Sequence, residues 1–450
     1  MTVSHKKTSP AGGQYYIDGL EEEGLHDSDD PHGLTALWWI VGPGSVAAEV
    51  ALGIDSGRRF TAADLPKFEA LVQGFHPSEL QRKRRLVQNA GNPRRVALHD
   101  FTLSAPKSVS VVWSQADERT KRLIEAAQGR AARAFVSLVG SRAAYSRQGK
   151  AGILKTPCAI VAALFAHGTS RAEDPQLHTH CTLLNVTIRS DGSSGALETR
   201  KIMCWQGAAA CLYHAELAFG LRELGFGIEQ AGNLFEVEGV PAEVCVAFSQ
   251  RRRAVLAAAT SELLRRGRDP EQTPPSRGLL RKVVIQTRAP KVMRPRSELE
   301  HSWLQRGEAM GFGPNQVREL MHGGNARVAD RHEMLTIARS VAAELDQDLN
   351  EFTEPTLVAR VAVALAGRAD AVGILKAIDA VIDELAQRDR DGLAIGTSLL
   401  PVDREKNSLA PRSDDCQKPQ PGTGNGGVRA AEGSGQDTLG MGRAMERMRE

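Results

Sequence analysis

Tyrosine is scarce in this chain. Only Tyr15, Tyr16, Tyr145 and Tyr213 occur among 450 residues, within an aromatic fraction of 5%. Any mechanism built on tyrosine therefore has few candidates. The six cysteines (Cys158, Cys181, Cys204, Cys211, Cys245, Cys416) form no C-x-x-C pair and show no disulfide-like spacing. Several lie in apolar runs, as reduced core cysteines do, which argues against a disulfide scaffold. No apolar run approaches the ~20 residues that span a bilayer. Met1 to Gly13 is polar and has no signal-peptide core, so a cytoplasmic protein without membrane insertion is expected. A Gly-x-x-x-x-Gly-Lys-Ser/Thr phosphate loop is also missing. Gly422 to Gly435 is glycine-rich but has neither that ending nor a preceding strand, so it is not read as one.

What the chain does contain is uneven. Its length suggests two or three domains, and a hydrophobic fraction of 41% suffices for a substantial core. The formal charge of +3 conceals a basic stretch from Arg251 to Arg296, with thirteen Arg or Lys against Glu262, Asp269 and Glu271. A second cluster is Arg82-Lys83-Arg84-Arg85 with Arg94-Arg95. Either suits a polyanion, and either is also compatible with a solvated helix face.

Val96–Leu103 and Ser108–Trp113 read as two strands around a Ser-Ala-Pro-Lys turn. Ser114 then opens a helix, with Asp117 placed for a reciprocal cap and Ile124, Ala127, Ala131, Phe135 and Leu138 on its apolar side. Pro157–His167 and Leu177–Ile188 read as a hairpin. A helix runs from about Trp205 to Leu224 and stops at Gly225. A short hairpin follows over 226–239, and Pro241 starts another helix. Residues 250–330 are helical and basic, with a capping box from Ser297 and Glu300. Further amphipathic segments include Leu357–Leu365 and Ile374–Leu385. Beyond Pro401 the composition turns to Gly, Pro, Ser and charge, the signature of a disordered tail.

Three histidines carry the strongest chemical signal. On a strand, residues i and i+2 share a face, so His178 and His180 project together. His167 ends the preceding strand and can come alongside them. Three neutral imidazoles on two rigid strands make a divalent-metal site with open positions, suited to Lewis-acid work on a phosphate. A surface H-x-H pair is the plainer alternative. Cys181 should face the opposite way, into the core. Tyr15-Tyr16 is the only tyrosine doublet and sits in a polar, Gly-flanked segment; composition leaves both a buried anchor and a nucleophile open.

Tyr15-Tyr16, then His99-Asp-Phe-Thr-Leu-Ser-Ala-Pro-Lys-Ser-Val-Ser110, then Phe165-Ala-His-Gly-Thr-Ser-Arg171 and Gln176-Leu-His-Thr-His180 occur in the order of the three motifs of MobF (TrwC/TraI-type) relaxases. The chain resembles that family of the HUH endonuclease superfamily over roughly residues 13–390. Met310-Gly-Phe-Gly-Pro314 and Asn350-Glu-Phe-Thr-Glu354 are similar to later relaxase segments. The resemblance implies an α+β fold, a central antiparallel β-sheet flanked by helices, with a helical finger region. The expected organisation is a catalytic core at 1–240, a basic DNA-clamping region at 241–330, a small helical module at 331–395 and a disordered tail at 396–450.

It further implies a metal-dependent tyrosine endonuclease and strand transferase acting on single-stranded DNA at a transfer origin in conjugation. Tyr15 would form a 5′-phosphotyrosine and leave a free 3′-OH. His167, His178 and His180 would bind Mg²⁺, Mn²⁺ or Zn²⁺. Asp100 would orient a histidine or help deprotonate tyrosine. Lys107 and Arg171 would touch DNA phosphates. Accessory DNA-binding proteins and a type IV secretion coupling protein are the implied partners.

The chain departs from the pattern in three places. Many relatives carry a second tyrosine pair where this chain has the acidic run Glu21 to Asp30, leaving Tyr16 or a second molecule to complete termination. Met1–Thr8 is more polar than the expected opening strand. No helicase motif follows, so the chain is expected to be a stand-alone or truncated relaxase. Two rival readings are a degenerate relaxase-like protein that binds single-stranded DNA without cutting, and a three-histidine small-molecule metallohydrolase.

Overall fold

The computed structural model describes residues 3–22, 36–79, 83–149, 152–287, 294–322, 327–349, 351–390 and 398–400. The chain opens with β1 (Val3–Thr8), α1 (Pro10–Glu22), β2 (Ala36–Val41), α2 (Ser45–Leu52), a 3-10 turn (Ala62–Asp64) and α3 (Leu65–Gln73). Next come β3 (Leu98–Ser104), α4 (Lys107–Gln115), α5 (Glu118–Ala143), β4 (Tyr145–Gln148), β5 (Leu154–Pro157), β6 (Ile160–Thr169) and β7 (Pro175–Leu184). They are followed by β8 (Thr187–Ile188), β9 (Ser194–Gly195), β10 (Leu197–Glu198), α6 (Thr199–Glu223), β11 (Ile228–Ala231) and β12 (Leu234–Val237). The rest is mostly helical: α7 (Ala242–Ala247), α8 (Gln250–Arg265), α9 (Arg277–Gln286), α10 (Arg296–Ala309), α11 (Pro314–Leu320) and α12 (Arg331–Leu349). It ends with β13 (Glu351–Thr353), α13 (Glu354–Ala364), α14 (Ala371–Arg390) and β14 (Ser398–Leu400).

Five strands form the central sheet in the order β1-β3-β7-β6-β2, each pair antiparallel. Helices cover both faces, which gives an α+β fold. On one face Leu103, Leu177, Cys181 and Leu183 pack with α4, α5 and α6; on the other Trp38, Val161, Ala163, Phe165 and Leu184 pack with α1, α2 and α3. Burial on both sides explains why Ile160–Phe165 is an unbroken apolar run instead of an alternating one. The first cluster continues into α12, α13 and α14 through Leu345, Val361 and Ile378. Helices α8 and α9 have a small core of their own, Val255, Ala259, Leu263, Leu279 and Val283, and form an arm. No helix among the described residues is long and apolar enough to cross a membrane.

Several sequence expectations are corrected. Ser108–Trp113 is helical, within α4, although its residues favour strands. All of its residues from Ser108 to Gln115 are buried, and a segment apolar on every side is as acceptable in an enclosed helix as in a strand. Ser114 therefore ends α4, and Asp117 caps α5 by accepting from the Thr120 amide. Helix α6 starts earlier than Trp205, at Thr199, where the Glu198 carboxylate accepts from the Arg200 amide. Helix α10 begins at Arg296 after Pro295, so Ser297 and Glu300 lie within its first turns; Glu300 pairs with Arg296 and Lys121. The polar opening segment is strand β1, an edge strand whose exposed residues face solvent.

Within the second basic cluster, Arg95 is buried and donates to the carbonyls of Val72 and Asn185, an internal clasp. Burial lowers its pKa to about 10. Arg82 lies outside the described residues, as does the acidic run beyond Glu22 and the expected tail from residue 401. Ser398–Leu400, inside that expected tail, pairs in parallel with β13.

Candidate functional site

The β6–β7 hairpin sets His167 directly opposite His178, and His180 lies between Phe165 of β6 and Thr102 of β3. Period-two alternation turns Leu177, Thr179 and Cys181 into the core and His178 and His180 to the other face. The three imidazole centres form a near-equilateral triangle: 5.4 Å from His167 to His178, and 5.2 Å from His180 to each. Three imidazoles sharing one tetrahedral ion at about 2.1 Å would have centres roughly 5 Å apart.

Hydrogen bonding also selects the ligating nitrogen. His178 Nδ1 lies 2.7 Å from the Gln176 carbonyl, which can only accept, so Nδ1 carries the proton. His180 Nδ1 lies 2.9 and 3.0 Å from the two Asp100 carboxylate oxygens and donates to them in the same way. Both Nε2 atoms are thereby left as acceptors, the tautomer that binds a metal. Burial, then the neighbouring His180 and His167, hold the His178 pKa well below the usual imidazole range, so it stays neutral. Yet among the described residues no group of three or more His, Cys, Asp or Glu side chains closes on a common point as a metal cage. The donor chemistry and ring spacing fit an ion; closure around it is not present.

The tyrosine doublet lies on α1, beneath the same face. Tyr15 is 43% exposed, with its ring centre 6.4 Å from that of His180. Tyr16 is 4% exposed, stacks on Phe165 at 5.3 Å and meets His180 edge-on at 5.7 Å. Burial and the adjacent Asp100 carboxylate raise the Tyr16 pKa far above the usual phenol range. The two neighbours thus divide the alternatives that composition left open: Tyr15 faces outward, and Tyr16 is the buried anchor. Tyr16 as a substitute nucleophile is not supported by this environment.

Lys107 is not spread on the surface. Its ammonium donates to the Pro175 carbonyl at 2.9 Å, and burial lowers its pKa to about 8. Arg171, on the β6–β7 turn, lines a cleft with Gln250, Arg251, Arg253 and Thr287 of the arm. Tyr145 begins β4 just after α5, with the Lys201 ammonium 4.3 Å over its ring, and Tyr213 is buried on α6.

Sequence reasoning missed the supporting contacts. The Ser110 hydroxyl accepts from the Leu177 amide, and the Ser108 hydroxyl accepts from the Val237 amide and donates to Glu236. The Ser-Ala-Pro-Lys-Ser-Val-Ser motif is thus a set of stitches: Lys107 and Ser110 hold α4 against the first residues of β7, and Ser108 holds it against β12. Gly168, next to His167, lies against Trp113 of α4; a Cβ there would come within 2.4 Å of the indole. Asp174 at the hairpin tip is 1% exposed and accepts from the Gln250 amide, the Gln250 side chain and Arg306. Only the folded contacts reveal these roles, because each partner is distant in sequence.

The family model described as TrwC relaxase matches residues 12–310. The chain is 27% identical over 368 residues to the multifunctional conjugation protein TraI of Escherichia coli, covering 77% of this chain and 19% of that protein. Its counterpart in strain K12 is also 27% identical, over 369 residues. The chain spans about a fifth of the length of these relatives. Among solved structures it is similar to the conjugative relaxase TrwC in complex with oriT DNA in a metal-bound form, at a TM-score of 0.56 and 25% identity, covering 69% of this chain and 99% of that one. The metal-free form of that complex matches with a TM-score of 0.54 and 26% identity over the same shares.

Proposed function

The chain belongs to the TrwC relaxase family, and on that premise we propose that it is a tyrosine endonuclease and strand transferase that nicks single-stranded DNA at a transfer origin. The observation that carries this reading is the outward-facing Tyr15 beside the triangle of His167, His178 and His180. The relatives' complexes with oriT DNA support the choice of substrate.

In the proposed reaction the Tyr15 hydroxyl oxygen attacks the scissile phosphorus. The new bond is a 5′-phosphotyrosine, and the P–O3′ bond breaks to leave a 3′-OH on the released strand. The tyrosine proton is lost to solvent or base, and the reverse attack by a 3′-OH religates the strand without ATP. His167, His178 and His180 would hold a divalent ion (Mg²⁺, Mn²⁺ or Zn²⁺), which when bound would polarise the phosphate. Asp100 takes the orienting role: its carboxylate is engaged with His180 and buried, whereas Tyr15 is exposed. Tyr16 braces the same face from below. Arg171 and the arginines of α8 border the cleft through which a strand would pass. Lys107 acts indirectly, by fixing the start of β7. Termination by a second molecule, accessory DNA-binding proteins and a secretion coupling protein belong to this proposal as its expected partners.

The test is incubation with single-stranded oligonucleotides spanning the origin of the element that encodes the chain, with Mg²⁺ or Mn²⁺, read on a denaturing gel. A protein–DNA adduct that disappears in Tyr15→Phe is the expected result. An adduct that persists in Tyr15→Phe moves the nucleophile elsewhere. Binding without an adduct under every metal would replace the proposal with the non-cleaving DNA-binding reading.

A further inference from the structure

Behind the histidine face, in the apolar layer between the sheet and helices α5 and α6, lie three polar side chains that no substrate reaches. Gln128 of α5, Thr179 of β7 and Tyr213 of α6 are 1%, 3% and 0% exposed. The Tyr213 hydroxyl donates to Gln128 Oε1 at 2.7 Å. The Gln128 amide nitrogen donates at 3.2 Å to the Thr179 hydroxyl and at 3.2 Å to the Leu103 carbonyl. The Leu103 carbonyl can only accept, so the amide nitrogen must face the sheet, which leaves Oε1 to accept from Tyr213.

Leu103 and Thr179 are direct register partners of β3 and β7, so a single amide spans both strands at one rung. Thr179 is the residue between His178 and His180. Its side chain points to the core, and theirs point to the site. A slip of one residue would turn both histidines inward. The Gln128 contacts are satisfied only in the register that presents His178 and His180 together.

The network lies within the main apolar core, to which Leu103, Leu212 and the Tyr213 ring belong. Buried polar groups add little net stability there, and replacing all partners of a network with apolar groups of similar shape is often neutral or stabilising. Stability alone therefore does not account for the network. Position does, because a satisfied buried network specifies a unique arrangement.

We propose that Gln128, oriented by Tyr213, is a positioning residue: it locks β7 to β3 behind the site and so keeps the His178 and His180 rings at the spacing that an ion and Tyr15 require. The inference rests on the proposed function for what the histidines do, and on the observed bonds for how they are held.

The test uses the full chain and the triple variant Gln128→Leu, Thr179→Val and Tyr213→Phe, which removes every polar side chain of the network with little change in volume. Three quantities are measured without DNA: the melting temperature, the Mn²⁺ affinity by calorimetry, and the imidazole ¹⁵N signals of His178 and His180 in the ion-free protein. The expected result is a folded variant that melts at or above the parent temperature, binds Mn²⁺ about tenfold more weakly, and shows shifted or broadened imidazole signals. Thr179→Ser, which keeps the accepting oxygen, should retain parental affinity. Unchanged Mn²⁺ affinity in the folded variant overturns the inference. If the parent chain itself takes up no Mn²⁺, the metal reading fails, and the imidazole signals alone decide: unchanged signals overturn the positioning role. Should the triple variant not fold, Thr179→Val is judged by the same measurements.

Discussion

Tyr15 and Tyr16 are adjacent in the chain and opposite in environment, because successive residues on a helix point about 100° apart. Tyr16→Phe should leave the covalent adduct intact while costing about 1.5–3 kcal/mol for its hydrogen bond to the Asp100 carboxylate. A denaturing gel and a thermal melt check both parts; loss of the adduct in Tyr16→Phe would return this residue to the chemistry. Buried histidines away from the triangle carry a separate consequence. Burial lowers the pKa of His99 to about 4 and of His214 to about 3, from the ordinary 6.5. Between those values and 6.5 the unfolded chain binds more protons than the folded one, so stability rises with pH up to about 6.5 and is lost as pH falls below it. Each residue contributes about 1.4 kcal/mol per pH unit in that window. The melting temperature followed from pH 7 to pH 4.5 should fall less steeply in His214→Gln than in the parent. Parallel profiles would show that His214 does not carry this term.

At the scale of elements, the β6–β7 hairpin is held beside its turn by α4 and at the turn itself by the arm and α10. Gly168 allows the approach of Trp113, and the register shifts between His167 and Thr169 beside it. Gly168→Ala should cost about 1–3 kcal/mol, the usual range for overpacking, and should reduce strand cleavage by displacing His167. Melting and adduct yield measured together test this, and a normal yield would show that the hairpin absorbs the methyl group elsewhere. Asp174 links the hairpin tip to α8 and α10 through three donated hydrogen bonds, one of them from Arg306. Asp174→Ala should lower stability by at least about 1.5–3 kcal/mol, the range for a single hydrogen bond to a charged group. Faster hydrogen exchange confined to α8 and α9 would locate the loss at the arm; uniform exchange across the chain would argue against a local clasp.

Across the whole molecule, a large shared core runs from the central sheet through α6 to α14, whereas the arm of α8 and α9 holds only a five-residue cluster. The arm is also strongly basic: Arg251, Arg252, Arg253, Arg265, Arg277, Arg281 and Lys282 lie on its two helices. A small separate core with a dense positive charge suits a polyanion-gripping element better than a stability element. Replacing Arg252 and Arg253 with Gln should weaken single-strand binding at low salt. It should also flatten the dependence of log K on log salt by about 0.7 for each phosphate that is no longer neutralised. Anisotropy titrations at several salt concentrations check this; an unchanged slope would exclude these two residues from phosphate binding.

The linear sequence determined what depends on local rules. Strand alternation turns His178 and His180 to one face and Cys181 to the other, and a two-strand hairpin brings His167 opposite them. Helical period placed the apolar side of α5, and glycine ended α6. Tertiary structure decided whatever depends on partners distant in the chain. Ser108–Trp113 became a helix because it is enclosed on all sides, against its own strand preference. Arg95 and Lys107 look in sequence like surface charges, and both are spent on carbonyls brought near by folding. The exposure of Tyr15 and burial of Tyr16, the engagement of Asp100 with His180, and the amide of Gln128 behind the histidines arise only when the sheet closes between its helices. Periodicity is a property of the backbone that any window of sequence reveals, whereas burial and hydrogen-bond pairing belong to segments that lie far apart in the chain and meet only in the fold.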